Sequence, residues 1–330
     1  MDTQVIGQDG IEAPTEEPSQ EAELGFWGRL KKKIKEYFTY NVPGHNLRVW
    51  ELDLIRGIIM IFVTFDHIAR FSYYWGIIHF QTPFGQAIGR GAYLTNDFIQ
   101  NSYAFWLWVI CFMSGISCQF SHSSVMRVIK FWIFSFVFMG GYLALHFVMP
   151  DRLTGYLIFN IVAVLTISVT VWYLMEKLKL PDWWRIAIAS AIIVAGVALY
   201  FYSRFHDGGL YVDNGLLALL VYNQHGYQLS PNNFEPLLPH LGFFILGAVY
   251  GKHVYKDKKT VLKRSTPPKW LSPVMILGKH SLAAYLFLPT VLLLNYLIPT
   301  KCEPFLLSIA NILFLLCIQP QMLSVIFLFT

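Results

Sequence analysis

Apolar residues dominate eight stretches of the chain, and polar segments separate them. The stretches are residues 52–78, 103–120, 129–149, 156–175, 184–202, 237–255, 273–298 and 305–329. A helix rises 1.5 Å per residue, so about 20 apolar residues cross a hydrocarbon core of roughly 30 Å. Pro320 interrupts the last stretch. The pattern predicts an all-α, polytopic integral membrane protein with about eight transmembrane helices.

Composition agrees with this class. Of the 330 residues, 55% are hydrophobic and only 14% are charged. The four cysteines, Cys111, Cys118, Cys302 and Cys317, show neither CxxC nor Cys/His spacing, so we expect no disulfide framework and no metal site. The net charge of +5 belongs mainly to short loops, which predicts contact with the lipid bilayer and not with nucleic acid.

The N-terminal region differs from the rest. Residues 1–23 are rich in Glu, Gln, Pro, Ser and Thr, a composition typical of a disordered tail. Residues 24–47 follow as an amphipathic interfacial helix and linker, with Trp27 and Phe38 on an apolar face and lysines around it. Residues 48–330 form the predicted transmembrane domain.

Lysine and arginine are distributed unequally between the two sets of loops. Eighteen of the 25 lie on the side of the N-terminus, and only Arg90, Arg152, Arg204 and Lys301 lie on the other. The positive-inside rule therefore predicts a multi-pass protein of the cell membrane with both termini in the cytoplasm. Residues 204–235 are then outside.

The first stretch carries charges that a lipid-facing helix should not carry. They belong to Asp53, Arg56, Asp66, His67 and Arg70, and such groups face a protein interior or a wet cavity. Arg56 and His67 are eleven residues apart, about three turns, and share one face. Asp53 can pair with Arg56, either to fix helix register or to serve the site. His67 is the stronger functional candidate because an ion pair does not require it.

Other candidate residues flank the helices. Asn96 and Asp97, in the loop at 79–101, and Glu235 and His240, near 204–235, are candidates for binding a polar substrate. Lys279, His280 and Ser281 follow a loop that contains Lys263 and Arg264. These five are suited to an anionic cofactor that enters from the cytosol, although a basic snorkelling anchor is the alternative. Small residues at 112–118 predict close helix packing.

Four motifs resemble the bacterial relatives of heparan-α-glucosaminide N-acetyltransferase. They are Asp53-Leu-Ile-Arg-Gly57 with Asp66-His67, Phe112-Met-Ser-Gly-Ile-Ser117, the segment 234–247, and Gly278-Lys-His-Ser-Leu-Ala-Ala-Tyr-Leu286. The Arg56-x10-His67 spacing also matches the first-helix motif of type-three membrane acyltransferases. The resemblance covers most of residues 48–295, in the same order.

The resemblance implies transfer of acetyl from cytosolic acetyl-CoA to a sugar or glycan across the membrane. It makes His67 the catalytic candidate, with Asp66, Arg70 and Arg56 in support. His79 is the competing histidine because the human-type catalytic residue lies past the first helix. Members often have histidines where this chain has Ile158 and Phe287, and often have Trp where it has His240.

Two other functions remain open. A proton-coupled transporter or flippase would use the same buried charges as a relay, and a non-catalytic membrane protein would explain the missing histidines. The sequence leaves open the acceptor, the choice between O- and N-acetylation, and whether the protein is a homo-oligomer.

Overall fold

The computed structural model describes residues 28, 49–74, 105–121, 123–148, 160–206, 210, 212, 214–221, 235–262, 267–281 and 284–285. The chain divides into two units, Met1–His45 and Asn46–Thr330. Every helix described below belongs to the second unit.

The described residues form helices and contain no strand, which confirms the all-α fold class for this part of the chain. The helices are α1 (Trp50–Tyr74), α2 (Phe105–Phe120), α3 (Ser124–Val148), α4 (Ile161–Lys177), α5 (Asp182–Phe205), α6 (Gly215–Leu220), α7 (Leu237–Val254) and α8 (Ser272–Lys279). The last turn of α2, Ser117–Phe120, is a 3-10 turn, and another, Lys269–Leu271, precedes α8.

Contacts between side chains give the direction of each helix. Helices α3 and α4 are antiparallel, because Ser124 bonds Glu176 near one end and Trp132 bonds Thr170 two turns further on. Helices α5 and α7 are also antiparallel, since Lys252 bonds Asp182 and Pro239 lies against Gly196.

The same reasoning places the first two helices. Helix α1 runs antiparallel to α2, because Arg56 bonds Ser117 and Phe62 stacks on Trp106 at 5.0 Å. Helices α2 and α7 run parallel: Gly247 lies against Phe112 and Gly251 against Ile116. Consequently α1, α3 and α5 begin at the same end of the bundle, and α2, α4 and α7 finish there.

Helix α7 lies at the centre. Phe244 and Ile245 on α7 have no exposed surface, and neither do Cys111 on α2, Val164 on α4 and Ala189 on α5. All of these side chains except Val164 belong to one apolar cluster, which also contains Val162 and Trp172. A helix that is apolar on all sides is typical of such a buried position.

The outer surfaces of α3 and α5 are apolar. Phe136 is 58% exposed, Val194 69% and Phe205 75%, and an apolar exterior of this kind suits lipid. Two described helical segments, Ser124–Gly141 and Asp182–Ser203, are long and apolar enough to cross a membrane. The other predicted spans stay predictions.

The structure differs from the expected element boundaries in two places. Within the predicted stretch 156–175, helix α4 begins at Ile161, because the Asn160 side chain accepts hydrogen bonds from the amides of Val162 and Ala163 and caps the helix. A short helix, α6, lies in the predicted loop 204–235.

A third difference concerns α8. Gly278 lies against the carbonyl of Asp53, and Gly57 lies against the carbonyl of Val274, so α8 runs antiparallel to α1. His280 leaves helical geometry, with φ −110° and ψ 23°, and ends α8. The predicted stretch 273–298 therefore begins with a short helix that is antiparallel to α1 and ends at His280.

The contact between α2 and α7 should limit the size of residue 247. A Cβ at Gly247 would lie 2.1 Å from the Phe112 carbonyl oxygen, so Gly247→Ala must separate the helices and should cost about 1–3 kcal/mol in stability. Gly140→Ala is the control, because nothing lies within 4 Å of a Cβ there. It should stabilise α3 by about 0.5–1 kcal/mol. Thermal unfolding in detergent measures both changes, and equal effects would contradict the close packing.

Candidate active site

The first turns of α1 hold a buried ion pair. Asp53 is 2% exposed, and its Oδ1 accepts a hydrogen bond of 2.9 Å from Nη1 of Arg56. The predicted pairing of these residues is confirmed. A buried carboxylate without such a partner would be strongly destabilising. Because Arg56 supplies the partner, the ion pair holds the Arg56 side chain against Asp53.

Arg56 also connects α1 to α2. Its Nη2 donates to Oγ of Ser117, and the Ser117 hydroxyl donates to the carbonyl of Met113 at 2.8 Å. The guanidinium therefore bonds groups on two helices. Ser117 is the last residue of the motif 112–117, in which the sequence indicated only packing.

A second arginine meets the same residue. Arg127, near the start of α3, donates from Nη2 to the backbone carbonyl of Ser117. Two guanidinium groups from different helices thus converge on one serine. The sequence analysis did not identify Arg127 as a site residue, because it used this arginine only in the count of loop charges. No local spacing relates Arg127 to Arg56.

Helix α8 completes this end of the bundle. Because Gly278 has no side chain, its backbone contacts the carbonyl of Asp53. Lys279 and His280 follow directly, so they lie beside the first turns of α1. Ser281 comes next and is half-buried. The fourth sequence motif therefore packs on the first.

Glu51 holds the basic loop after α7 at the same end. This buried carboxylate accepts a hydrogen bond of 2.7 Å from the Thr260 hydroxyl and one of 3.0 Å from the Val261 amide. Lys258 and Lys259, just before Thr260, are exposed. The loop presents positive charge close to α1 and α8.

Other ionic contacts at this end are structural. Asp182 accepts hydrogen bonds from Lys252 at 2.8 Å and from Arg185 at 3.2 Å. Arg185 also donates to the Met175 carbonyl and lies 4.8 Å from the ring centre of Trp172. These contacts join α4, α5 and α7.

A separate polar cluster lies at the beginning of α7. Glu235 and His240 are 4% and 3% exposed. Nδ1 of His240 lies 2.7 Å from the Pro236 carbonyl oxygen, and Nε2 lies 3.9 Å from Oε2 of Glu235. Eleven residues separate His240 from Gly251, which packs near Ser117, and this is about 16 Å along the helix.

The structure thus separates the predicted site residues into two groups. Arg56, Lys279, His280 and Ser281 lie at the end where α1 begins, and Glu235 and His240 lie at the other. Asp66, His67 and Arg70 belong to α1, but their side chains are outside the description. His79, Asn96, Asp97, Lys263 and Arg264 are outside the described residues.

A family model for the catalytic domain of heparan-alpha-glucosaminide N-acetyltransferase matches residues 48–289. The chain belongs to this family. No curated protein and no solved structure matches the chain. The helices α1–α8 lie inside the matched range, and the four motifs that carry the resemblance lie wholly inside it. Acetyl transfer is the general activity of the heparan-alpha-glucosaminide N-acetyltransferase family.

The contact between Glu51 and the basic loop can be tested by hydrogen exchange. Glu51→Gln keeps the shape but removes the charge that accepts two hydrogen bonds. Since such bonds contribute about 1.5–3 kcal/mol, exchange in residues 255–262 should accelerate at least about tenfold. Glu176→Gln is the control, because Glu176 accepts a hydrogen bond from Ser124 at an exposed contact between α3 and α4 and not from the loop. Equal protection in both variants would show that Glu51 does not hold the loop.

Proposed function

We propose that this protein is a membrane acetyltransferase that moves acetyl from cytosolic acetyl-CoA to a sugar or glycan on the opposite side. The observation that carries the proposal is the convergence of family motifs on one polar end: Arg56 bonds Ser117, and Gly278 packs on Asp53. Residues far apart in sequence come together there, through polar contacts as well as through the apolar packing of Leu52 against Met113 and Ile116.

The direction of the helices supports the proposed orientation. The starts of α1, α3 and α5 and the ends of α2, α4 and α7 share one end of the bundle. These positions adjoin the segments that hold most of the lysines and arginines. In the proposal this end faces the cytosol, both termini are cytoplasmic, and the protein is multi-pass in the cell membrane.

Acetyl-CoA enters from this end. Its phosphates are anionic, and ammonium and guanidinium groups bind phosphate by charge-assisted hydrogen bonds. Lys279, His280 and Ser281 beside α1 are assigned to the cofactor, together with Lys263 and Arg264 of the basic loop. No metal is part of the proposal.

His67 carries the chemistry. It lies eleven residues after Arg56 on α1, about 16 Å further along the helix axis. As a general base, His67 takes the proton from the acceptor hydroxyl or amine, which attacks the acetyl carbonyl carbon. The carbon–sulfur bond breaks, and the leaving thiolate receives the proton to give CoA. Asp66 and Arg70 orient the imidazole, and Asn96, Asp97, Glu235 and His240 bind the acceptor.

His67→Ala should reduce acetyl transfer by about 10²-fold or more, a typical loss for acid–base catalysis, while binding of acetyl-CoA persists. His79→Ala should have a smaller effect. Incorporation of labelled acetyl by protein in nanodiscs measures both. If His79→Ala has the larger effect in folded protein, the chemistry belongs to the residues after the first helix. Solute flux without acetyl turnover in wild-type protein would instead support a transporter.

The basic loop should affect the donor and not the acceptor. The double variant Lys258→Asn with Lys259→Gln removes two positive charges from the loop. It should raise KM for acetyl-CoA about fivefold at low salt, and the effect should shrink at high salt. Asn is chosen because Lys258 has φ 55°, which Asn tolerates.

A matched control lies in the turn after α4. Lys179 has φ 53°, and both Lys177 and Lys179 are exposed. Lys179→Asn with Lys177→Gln therefore removes the same charge with the same backbone demand. This double variant should leave KM for acetyl-CoA unchanged. Equal effects of the two double variants would refute a specific role for the loop.

A further inference from the structure

The imidazole of His240 has one satisfied and one unsatisfied nitrogen. Nδ1 lies 2.7 Å from the carbonyl oxygen of Pro236. A carbonyl oxygen only accepts, so Nδ1 carries the proton in that contact. Nε2 is buried and has no hydrogen-bond partner among the described residues. A buried polar atom without a partner is costly and requires an explanation.

Glu235 faces this nitrogen but does not satisfy it. Its Oε2 lies 3.9 Å from Nε2, beyond the length of a hydrogen bond. In the neutral imidazole, Nε2 is an acceptor and therefore faces a second acceptor, the carboxylate. A donor group that lies to one side of the line joining the two atoms, about 2.8 Å from each, would bond both across this 3.9 Å separation.

The surroundings fit a ligand better than an ion pair that stabilises the fold. Trp108 stacks on Phe243, with ring centres 5.3 Å apart, and Phe243 lies one turn after His240. The indole Nε1 of Trp108 is also buried and without a hydrogen-bond partner in the described part of the chain. A second buried polar atom without a partner thus belongs to a side chain that packs on Phe243, one turn from His240. A few such polar groups in an apolar setting are typical of a small-molecule site.

We propose that Glu235 and His240 form the subsite that binds a hydrogen-bond-donating group, a hydroxyl or a protonated amine, of the acceptor. The group donates to Oε2 of Glu235 and to Nε2 of His240, and it bridges the two atoms from one side. The identification of this ligand as the acetyl acceptor rests on the proposed function. The binding site itself rests on the geometry of the two side chains.

The position in the bundle agrees with that role. The Glu235 and His240 pair lies near the beginning of α7, and the Arg56 cluster lies near its end. Donor and acceptor thus bind at different depths along the same bundle.

The test uses full-length protein in nanodiscs, with D-glucosamine and D-glucose as probes. Binding is measured by equilibrium dialysis of labelled sugar, and the thermal midpoint is recorded with and without sugar. Glu235→Gln removes the charge at constant shape. His240→Asn retains an N–H close to the Nδ1 position but removes Nε2, whereas His240→Gln offers an oxygen near the Nε2 position.

We expect Glu235→Gln and His240→Asn to weaken binding of the preferred sugar at least about tenfold. His240→Gln should remain within about threefold of wild type, and Glu176→Gln, the control from the other end, should bind as wild type. Preference for glucosamine over glucose indicates an ammonium group in the subsite. Equal binding of the two indicates a hydroxyl.

Wild-type affinity in both Glu235→Gln and His240→Asn would overturn the proposal, as would the absence of sugar binding by the wild-type protein. A lower thermal midpoint in both variants with unchanged sugar affinity would show a purely structural pair. In the transfer assay, the same variants should raise KM for the acceptor and leave KM for acetyl-CoA unchanged. If wild-type protein binds the sugar but transfers no acetyl, the proposed function fails and the subsite stands.

Discussion

The buried carboxylate of Asp53 is the constraint on which one end of the structure depends. At 2% exposure it requires a matched charge, and Arg56 supplies that charge one turn later. The remaining donors of Arg56 must then be satisfied as well, and Ser117 on α2 accepts one of them. Gly278 leaves room for α8 to approach the same turn. One buried charge therefore joins three helices.

The rest of the bundle depends on the close approach of backbones at α7. Glycines on α7 contact the α2 backbone at Phe112 and Ile116, and Gly242 packs near Ala189 on α5. Lipid does not drive apolar helices together as water does, so small residues and short interhelical distances contribute much of the association. The central helix is consequently held on two sides by backbone contact.

This architecture separates two kinds of chemistry along the bundle axis. Cationic groups around Arg56 and the basic loop suit phosphates, whereas Glu235 and His240 offer acceptors to hydroxyl or ammonium groups. Between them, the described residues of α2, α4, α5 and α7 share a buried apolar cluster. In the proposed reaction, this separation would keep the acetyl donor and the acceptor at different ends of the bundle.

The sequence by itself determined the local features of this protein. Hydropathy predicted helices where α1 to α5 and α7 lie, and the spacing of three residues predicted the pair of Asp53 with Arg56, because contacts within a helix follow from its period. The tertiary structure decided the rest: the meeting of Arg56 and Arg127 at Ser117, the bond from Glu51 to Thr260, the direction of α8 and the unsatisfied Nε2 of His240. These contacts join residues far apart in sequence or depend on a few ångströms of geometry. The packing of the helices determines these contacts, and no local spacing in the sequence encodes that packing.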